Sequence, residues 1–178
     1  METINNRLPE HIYLFLQSMR NYIDKQVYYY GSVQRFDYLD GHSDIDLYIF
    51  TDNEKSTIYK LQHFLEFENN EIKKIIINFK KGFDVVYGHK VKYSNPEKNM
   101  NLEISIFDEK YRDTVLKHNQ TKEEKITPFV TVVLFILKYL YYKINLISKN
   151  AYSYLKRIIM TDMIGLQDDI FVKQRIVV

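Results

Sequence analysis

Tyr30-Gly31-Ser32-Val33-Gln34-Arg35-Phe36-Asp37-Tyr38-Leu39-Asp40-Gly41-His42-Ser43-Asp44-Ile45-Asp46-Leu47 is the stretch that decides the fold of this 178-residue chain. A Gly-Ser pair is followed, twelve residues after Ser32, by Asp44-Ile45-Asp46, and the acids run straight into the apolar segment Leu47-Tyr48-Ile49-Phe50. Side chains alternate along a strand, so Asp44 and Asp46 project to one side while Ile45 and Leu47 enter the core. Paired carboxylates at a strand edge suit a hard divalent cation such as Mg²⁺, which takes oxygen ligands and leaves some positions for substrate phosphates. Upstream, Gly31 permits a tight turn, and Ser32 is placed to open a helix whose free N–H groups favour phosphate. A phosphate holder and a metal holder therefore share one strand–turn–helix–strand unit.

This layout resembles the nucleotidyltransferase superfamily of DNA polymerase β, whose signature is Gly-Ser, a gap, then Asp-x-Asp; Ser43 before the first acid also matches. The resemblance implies an α/β (α+β) chain with the polymerase β-like fold, a mixed sheet with helices on one face. It also implies a third carboxylate on a neighbouring strand. Leu102-Glu103-Ile104-Ser105-Ile106 fits, with Leu102, Ile104 and Ile106 on one face and Glu103 and Ser105 on the other. In the noncanonical poly(A) and terminal uridylyl polymerases this strand follows a hairpin. Here Val91-Lys92-Tyr93 and the turn-rich Ser94–Asn99 precede it. Glu103 stands where the family has Asp, and Asp84, in Gly82-Phe83-Asp84-Val85-Val86, competes for the same role. The resemblance thus implies Asp44, Asp46 and Glu103 as catalytic residues and as ligands of Mg²⁺ or Mn²⁺, with Gly31 and Ser32 at the nucleoside triphosphate. Arg35 is near enough to reach the triphosphate and equally suited to the surface.

Residues 126–146 begin a second, helical part. Thr127 before Pro128 is an N-cap followed by proline at the first helical position. The uncharged run Ile126–Leu137 falls short of the roughly twenty apolar residues that a membrane span needs, so a buried core helix is expected and no membrane. Lys138 interrupts that run, and a snorkelling side chain accounts for it. The RNA-tailing enzymes have a triphosphate-binding lysine in the equivalent helix and a later Ser-Ser-Tyr segment, where Ser meets phosphate and Tyr stacks on the base. By resemblance, Lys138, Ser153 and Tyr154 join the nucleotide-binding residues. A stacked aromatic contributes about 1–3 kcal/mol per base. Lys149-Asn150-Ala151 replaces the family's Gly-Gly, and this helical part is shorter than the family's.

Composition narrows the rest. Residues 1–90 carry 11 basic and 13 acidic side chains, whereas residues 91–178 carry 14 and 10, so the second half is mildly basic and compatible with a polyanionic acceptor. The absence of cysteine excludes disulfides, thiolate metal sites and a cysteine nucleophile. Five scattered histidines show no ligand spacing, and His42 reads as a turn residue. The polar N-terminus gives the expectation of a cytoplasmic protein, and the Lys, Asn, Ile and Tyr richness points to an AT-rich genome, viral origin included.

The expected elements are helices at 8–25, from Ser32, at 54–68, 108–118, 127–146 and 150–165. Strands are expected at 26–30, 44–50, 83–87, 89–94 and 101–107. Residues 71–79 are ambiguous by periodicity, and 119–125 read as a linker. The domains expected are a catalytic one over 1–118 and a truncated helical nucleotide- and primer-binding module over 126–178. Three functions follow from the resemblance. The first is Mg²⁺-dependent, template-independent addition of nucleoside monophosphates to an RNA 3′ end. The second is transfer of a nucleoside monophosphate to a protein, tRNA or small molecule by a small nucleotidyltransferase, and the third is a catalytically inactive nucleotide-binding scaffold. A homo-oligomer or a helical partner subunit would complete the short helical part.

Overall fold

The computed structural model describes residues 4–67, 72–78, 85–164 and 174–175. Helix α1 (Glu10–Ile23) buries Ile12, Leu16, Met19 and Ile23, an apolar stripe at helical spacing, and ends where Asp24 turns left-handed. Strand β1 (Val27–Tyr30) leads into a single 3₁₀ turn, Gly31–Gln34, where a helix from Ser32 was expected. Strand β2 (Ile45–Thr51) follows, and then α2 (Glu54–Leu65), whose cap residue Asn53 accepts a hydrogen bond from the Ser56 N–H at 3.0 Å.

Strand β3 (Ile72–Asn78) resolves the ambiguous isoleucine run: Ile72 enters one core cluster, Ile75 and Ile77 the other. Strands β4 (Val85–Asn95) and β5 (Met100–Asp108) form the expected hairpin. Of the two strands expected at 83–87 and 89–94, residues 83 and 84 lie outside the described residues, and 85–94 form one continuous strand through Gly88. A Cβ there would strike the Phe107 ring and the Ile106 carbonyl, so this glycine serves close strand packing and does not break the strand.

After a short 3₁₀ turn (Glu109–Tyr111), α3 (Arg112–Lys125) runs on through the residues expected to be a linker. Gln120, Lys122, Glu123 and Glu124 are good helix formers, and no breaker occurs before Pro128. Helix α4 (Pro128–Tyr142) starts as expected, with the Thr127 hydroxyl accepting from the Val130 N–H. Helix α5 (Lys149–Ile158) follows, capped by Ser148, then a π-helical turn (Ile159–Met163) and the two-residue strand β6 (Gln174–Arg175).

The sheet order is β1-β2-β5-β4-β3-β6; β2 and β5 are parallel and the other pairs antiparallel. The main core joins α1 and α2 to one sheet face through residues such as Met19, Leu47, Leu61 and Ile104. On the opposite face Phe50, Ile75, Ile77 and Phe107 meet Val115 of α3. A third cluster, Val130, Leu134, Leu137, Ile159 and Ile164, holds α4 to the π-helical turn that follows α5. No single helix among the described residues is long and apolar enough to cross a membrane.

Candidate active site

The parallel register of β2 and β5 sets Asp46 directly beside Glu103. On its other side Asp46 faces Tyr30 of β1. Asp44, just ahead of β2, projects to the same side and stands exposed at the mouth. Gly31 takes a positive φ of 71°, and any side chain there would collide with the Asp46 carboxylate. The Gly of the Gly-Ser pair therefore makes room for the acid.

The two neighbouring carboxyls are held in opposite ways. Burial, reinforced by Glu103 and Asp44, pushes Asp46 up to about 7. Burial also acts to raise Glu103, but Lys90 and Lys92 outweigh it and hold that carboxyl below the usual range. The two lysines lie on one side of β4, and each ammonium sits 2.6 Å from a different Glu103 oxygen.

Two cavities meet at this point, and Ser32, Asp46, Glu103, Lys138 and Lys156 line both. The smaller, about 210 Å³, adds Ser43, Asp44, Lys92, Tyr142 and Tyr152. The larger, about 260 Å³, runs between the sheet face and helices α3 to α5. It is floored by Tyr30 and Tyr48, stacked with ring centroids 3.7 Å apart, and the Tyr30 hydroxyl lies 3.4 Å from Ser105 Oγ.

Lys138 does not point its ammonium at open solvent. It donates to the Asp37 carbonyl at 2.8 Å and to Ser43 Oγ at 3.3 Å, and it pairs with the Asp37 carboxylate at 2.9 Å. Asp37 is fully buried and shared with Arg35, whose guanidinium also pairs with Glu123. Burial tends to raise Asp37, yet Arg35 and Lys138 prevail and hold it below the usual carboxylate range. Glu123, Arg35, Asp37 and Lys138 thus form a chain of charges from α3 through the loop before β2 to α4. Arg35 is a link in it and is not directed to a surface role.

Ser153 and Tyr154 are exposed on α5, and Tyr154 is 60% accessible. Neither lines either cavity; Lys156 lines both, and Tyr152 lines the smaller. These two are four residues apart and share a helical face that Ser153 and Tyr154 do not. Tyr152 stacks on Tyr141 at 4.5 Å, and His42 stacks on Tyr142 at 5.3 Å. Sequence reasoning missed Tyr152, Lys156, Lys90 and Lys92. The i, i+4 pair of Tyr152 and Lys156 was the available signal for the first two. The competitor Asp84 lies outside the described residues.

Among the described residues, no three or more His, Cys, Asp or Glu side chains converge as a ready metal cage. Both Glu103 oxygens are paired with lysines. Asp44 and Asp46 nevertheless fit a divalent cation. A carboxyl raised to about 7 by burial, with Glu103 and Asp44 adding to the shift, marks a site where a cation would be welcome. Glu103 would join them in competition with the lysines on its two oxygens.

Residues 12–162 match the family described as nucleotidyltransferase domain. The chain belongs to this family. The nucleotidyltransferase fold is polymerase β-like, with Asp46 and Glu103 on its parallel strand pair. Members of the family generally use a divalent metal ion and a nucleoside triphosphate. Among solved structures, this nucleotidyltransferase is similar to the polymerase core of TRAMP, an RNA surveillance complex, at 16% identity with a TM-score of 0.49. That alignment covers 84% of this chain and 48% of the other. The GLD-2/RNP-8 complex is similar at 13% identity with a TM-score of 0.33, over 75% of this chain and 60% of the other. The chain thus spans about half the length of the TRAMP polymerase chain. No curated protein sequence matches it.

Proposed function

We propose that this nucleotidyltransferase adds nucleoside monophosphates to an RNA 3′ end, with Asp44, Asp46 and Glu103 as its catalytic carboxylates. The observation that carries the reading is the Asp46–Glu103 register beside Gly31 and Ser32. Asp44 and Asp46 would hold Mg²⁺ or Mn²⁺. When bound, the metal supplies Lewis-acid neutralisation of the attacking and leaving oxygens around the α-phosphorus.

The chain's own residues do the rest. Ser32, where the two cavities join, offers a hydroxyl to the triphosphate. Glu103 orients the attacking 3′-hydroxyl and draws on its proton, while Lys90 and Lys92 keep that carboxylate ionised. The clasp of Asp37 and Lys138 fixes the loop that ends in Ser43 and Asp44, so both acids keep their direction. Positioning and charge carry most of such a phosphoryl transfer, with little covalent work for the protein. The polymerase resemblance and the mildly basic second half support RNA as the acceptor, and a helical partner or second copy would extend its track.

One observation favours a second reading, transfer to a compact acceptor. The larger cavity, about 260 Å³, is roofed by α3 to α5 and is of a size for a single small group. Incubation of the protein with α-labelled triphosphates and either RNA or small hydroxyl-bearing acceptors separates the two. Label in RNA supports tailing. Label only in the small acceptors rejects it.

A further inference from the structure

We infer that Lys156 on α5, and not Lys138 on α4, is the residue that grips the triphosphate of the incoming nucleotide. The inference rests on the nucleotidyl-transfer reading above and names a binding residue for it. An ammonium group has three N–H donors. Those of Lys138 have three acceptors at hand: the Asp37 carbonyl, the Asp37 carboxylate and Ser43 Oγ. Lys138 is also 5% exposed, so a phosphate would have to displace a buried, charge-paired clasp to reach it.

Lys156 is in the opposite condition. It is exposed, it lines both cavities, and its ammonium makes no hydrogen bond or ion pair with any other described residue. It is close enough to Asp46 for its charge to act on that carboxyl, and close enough to Lys138 to act on it as well. Lys156 and Asp46 thus line the same two cavities, with the charge of the cation reaching the acid. One helical turn earlier, Tyr152 lines the smaller cavity, so the face of α5 that meets the site carries an aromatic ring and a cation together. Arg157 is exposed at the same helix end and lines neither cavity. A basic residue that complements the helix C-terminus is thus available without turning Lys156 to the cleft. An unpaired ammonium on a flexible stem suits the β- and γ-phosphate oxygens, which it meets as a point charge.

The test is calorimetric titration of wild type, Lys156→Ala, Lys156→Arg and Lys138→Met with each of the four ribonucleoside triphosphates and their monophosphates, Mg²⁺ present. Lys156→Ala should weaken triphosphate binding about tenfold, the share of one charge-assisted hydrogen bond. It should leave monophosphate binding and the melting temperature as in wild type, and Lys156→Arg should restore most of the loss. Lys138→Met should lower the melting temperature and, below it, shift triphosphate and monophosphate binding by the same factor, through the loop that the clasp fixes. Unchanged triphosphate affinity in Lys156→Ala, with wild type binding normally, overturns this inference alone. A wild type that binds no triphosphate overturns it together with the nucleotidyl-transfer reading.

Discussion

Asp46 and Glu103 are side-by-side neighbours on the parallel strands β2 and β5, and their surroundings drive their acidities apart. Asp46 is raised to about 7 by burial and by the acids around it, whereas the lysines of β4 hold Glu103 low. Pairs of titratable groups pushed apart in this way divide labour at active sites. Here the division gives one carboxyl with no ion pair among the described residues and one that has two.

The Asp46 shift predicts a pH-dependent stability. Its folded value, about 7, lies above the ordinary 3.8, so the folded state favours the protonated acid. Stability from this group is present at low pH and is lost as pH rises from about 4 through 7, on the order of a few kcal/mol in all. In EDTA the melting temperature should fall between pH 5.5 and 8, and Asp46→Asn should flatten that slope. Mg²⁺ should raise the melting temperature more at pH 8 than at pH 5.5. An identical metal response at both pH values would remove the ion from Asp46.

The lysines on Glu103 predict a metal requirement that can be tuned. Lys92 is the more exposed of the two and the easier to displace. Lys92→Met should free one Glu103 oxygen and lower the Mg²⁺ concentration that gives half-maximal activity. Glu103→Gln should abolish most turnover while leaving the fold intact. Full activity in Glu103→Gln would pass the role of third carboxylate to Asp84.

Much of this was legible in the sequence wherever the signal was local. The two-residue period of Asp44-Ile45-Asp46, the Gly-Ser turn and the hairpin ahead of Glu103 are all short-range patterns, and each forms where expected. Phase and distance hid the rest. Gly88 resembles a strand break, but it is the tight packing of Phe107 that requires it. The polar run 119–125 resembles a linker because its hydropathy is low, although its residues favour a helix. Asp37 and Lys138 are 101 residues apart, and no spacing rule joins them. On α5, a shift of one or two residues in helical phase separates Tyr152 and Lys156, which line the site, from Ser153 and Tyr154, which resemble the family motif.

The clasp predicts a stability role for Lys138. Removing one partner of a buried ion pair costs roughly 3–5 kcal/mol, and Asp37 keeps Arg35, so Lys138→Met should fall toward the low end. Urea denaturation gives the value. The depressed Asp37 carboxyl adds an acid limit. Its contribution is present above the ordinary 3.8 and is lost as pH falls through the lower folded value, so the wild type should weaken in acid more than Asp37→Asn.

Gly31→Ala should damage catalysis more than folding. The left-handed backbone costs a non-glycine residue roughly 1–3 kcal/mol. The added methyl also drives into the Asp46 carboxylate, and misplacing a catalytic group by about 1 Å can cost about a hundredfold in rate. Comparison of turnover with melting temperature in this single variant separates the two effects.

The most direct measurement is extension of an end-labelled oligo(A) RNA with Mg²⁺ or Mn²⁺ and each of the four nucleotides in turn, run beside folded Asp44→Ala and Asp46→Ala. The prediction is a ladder of added nucleotides in wild type and none in either variant. A ladder that persists in both variants would contradict the assigned carboxylates, and no ladder with any nucleotide would contradict RNA tailing.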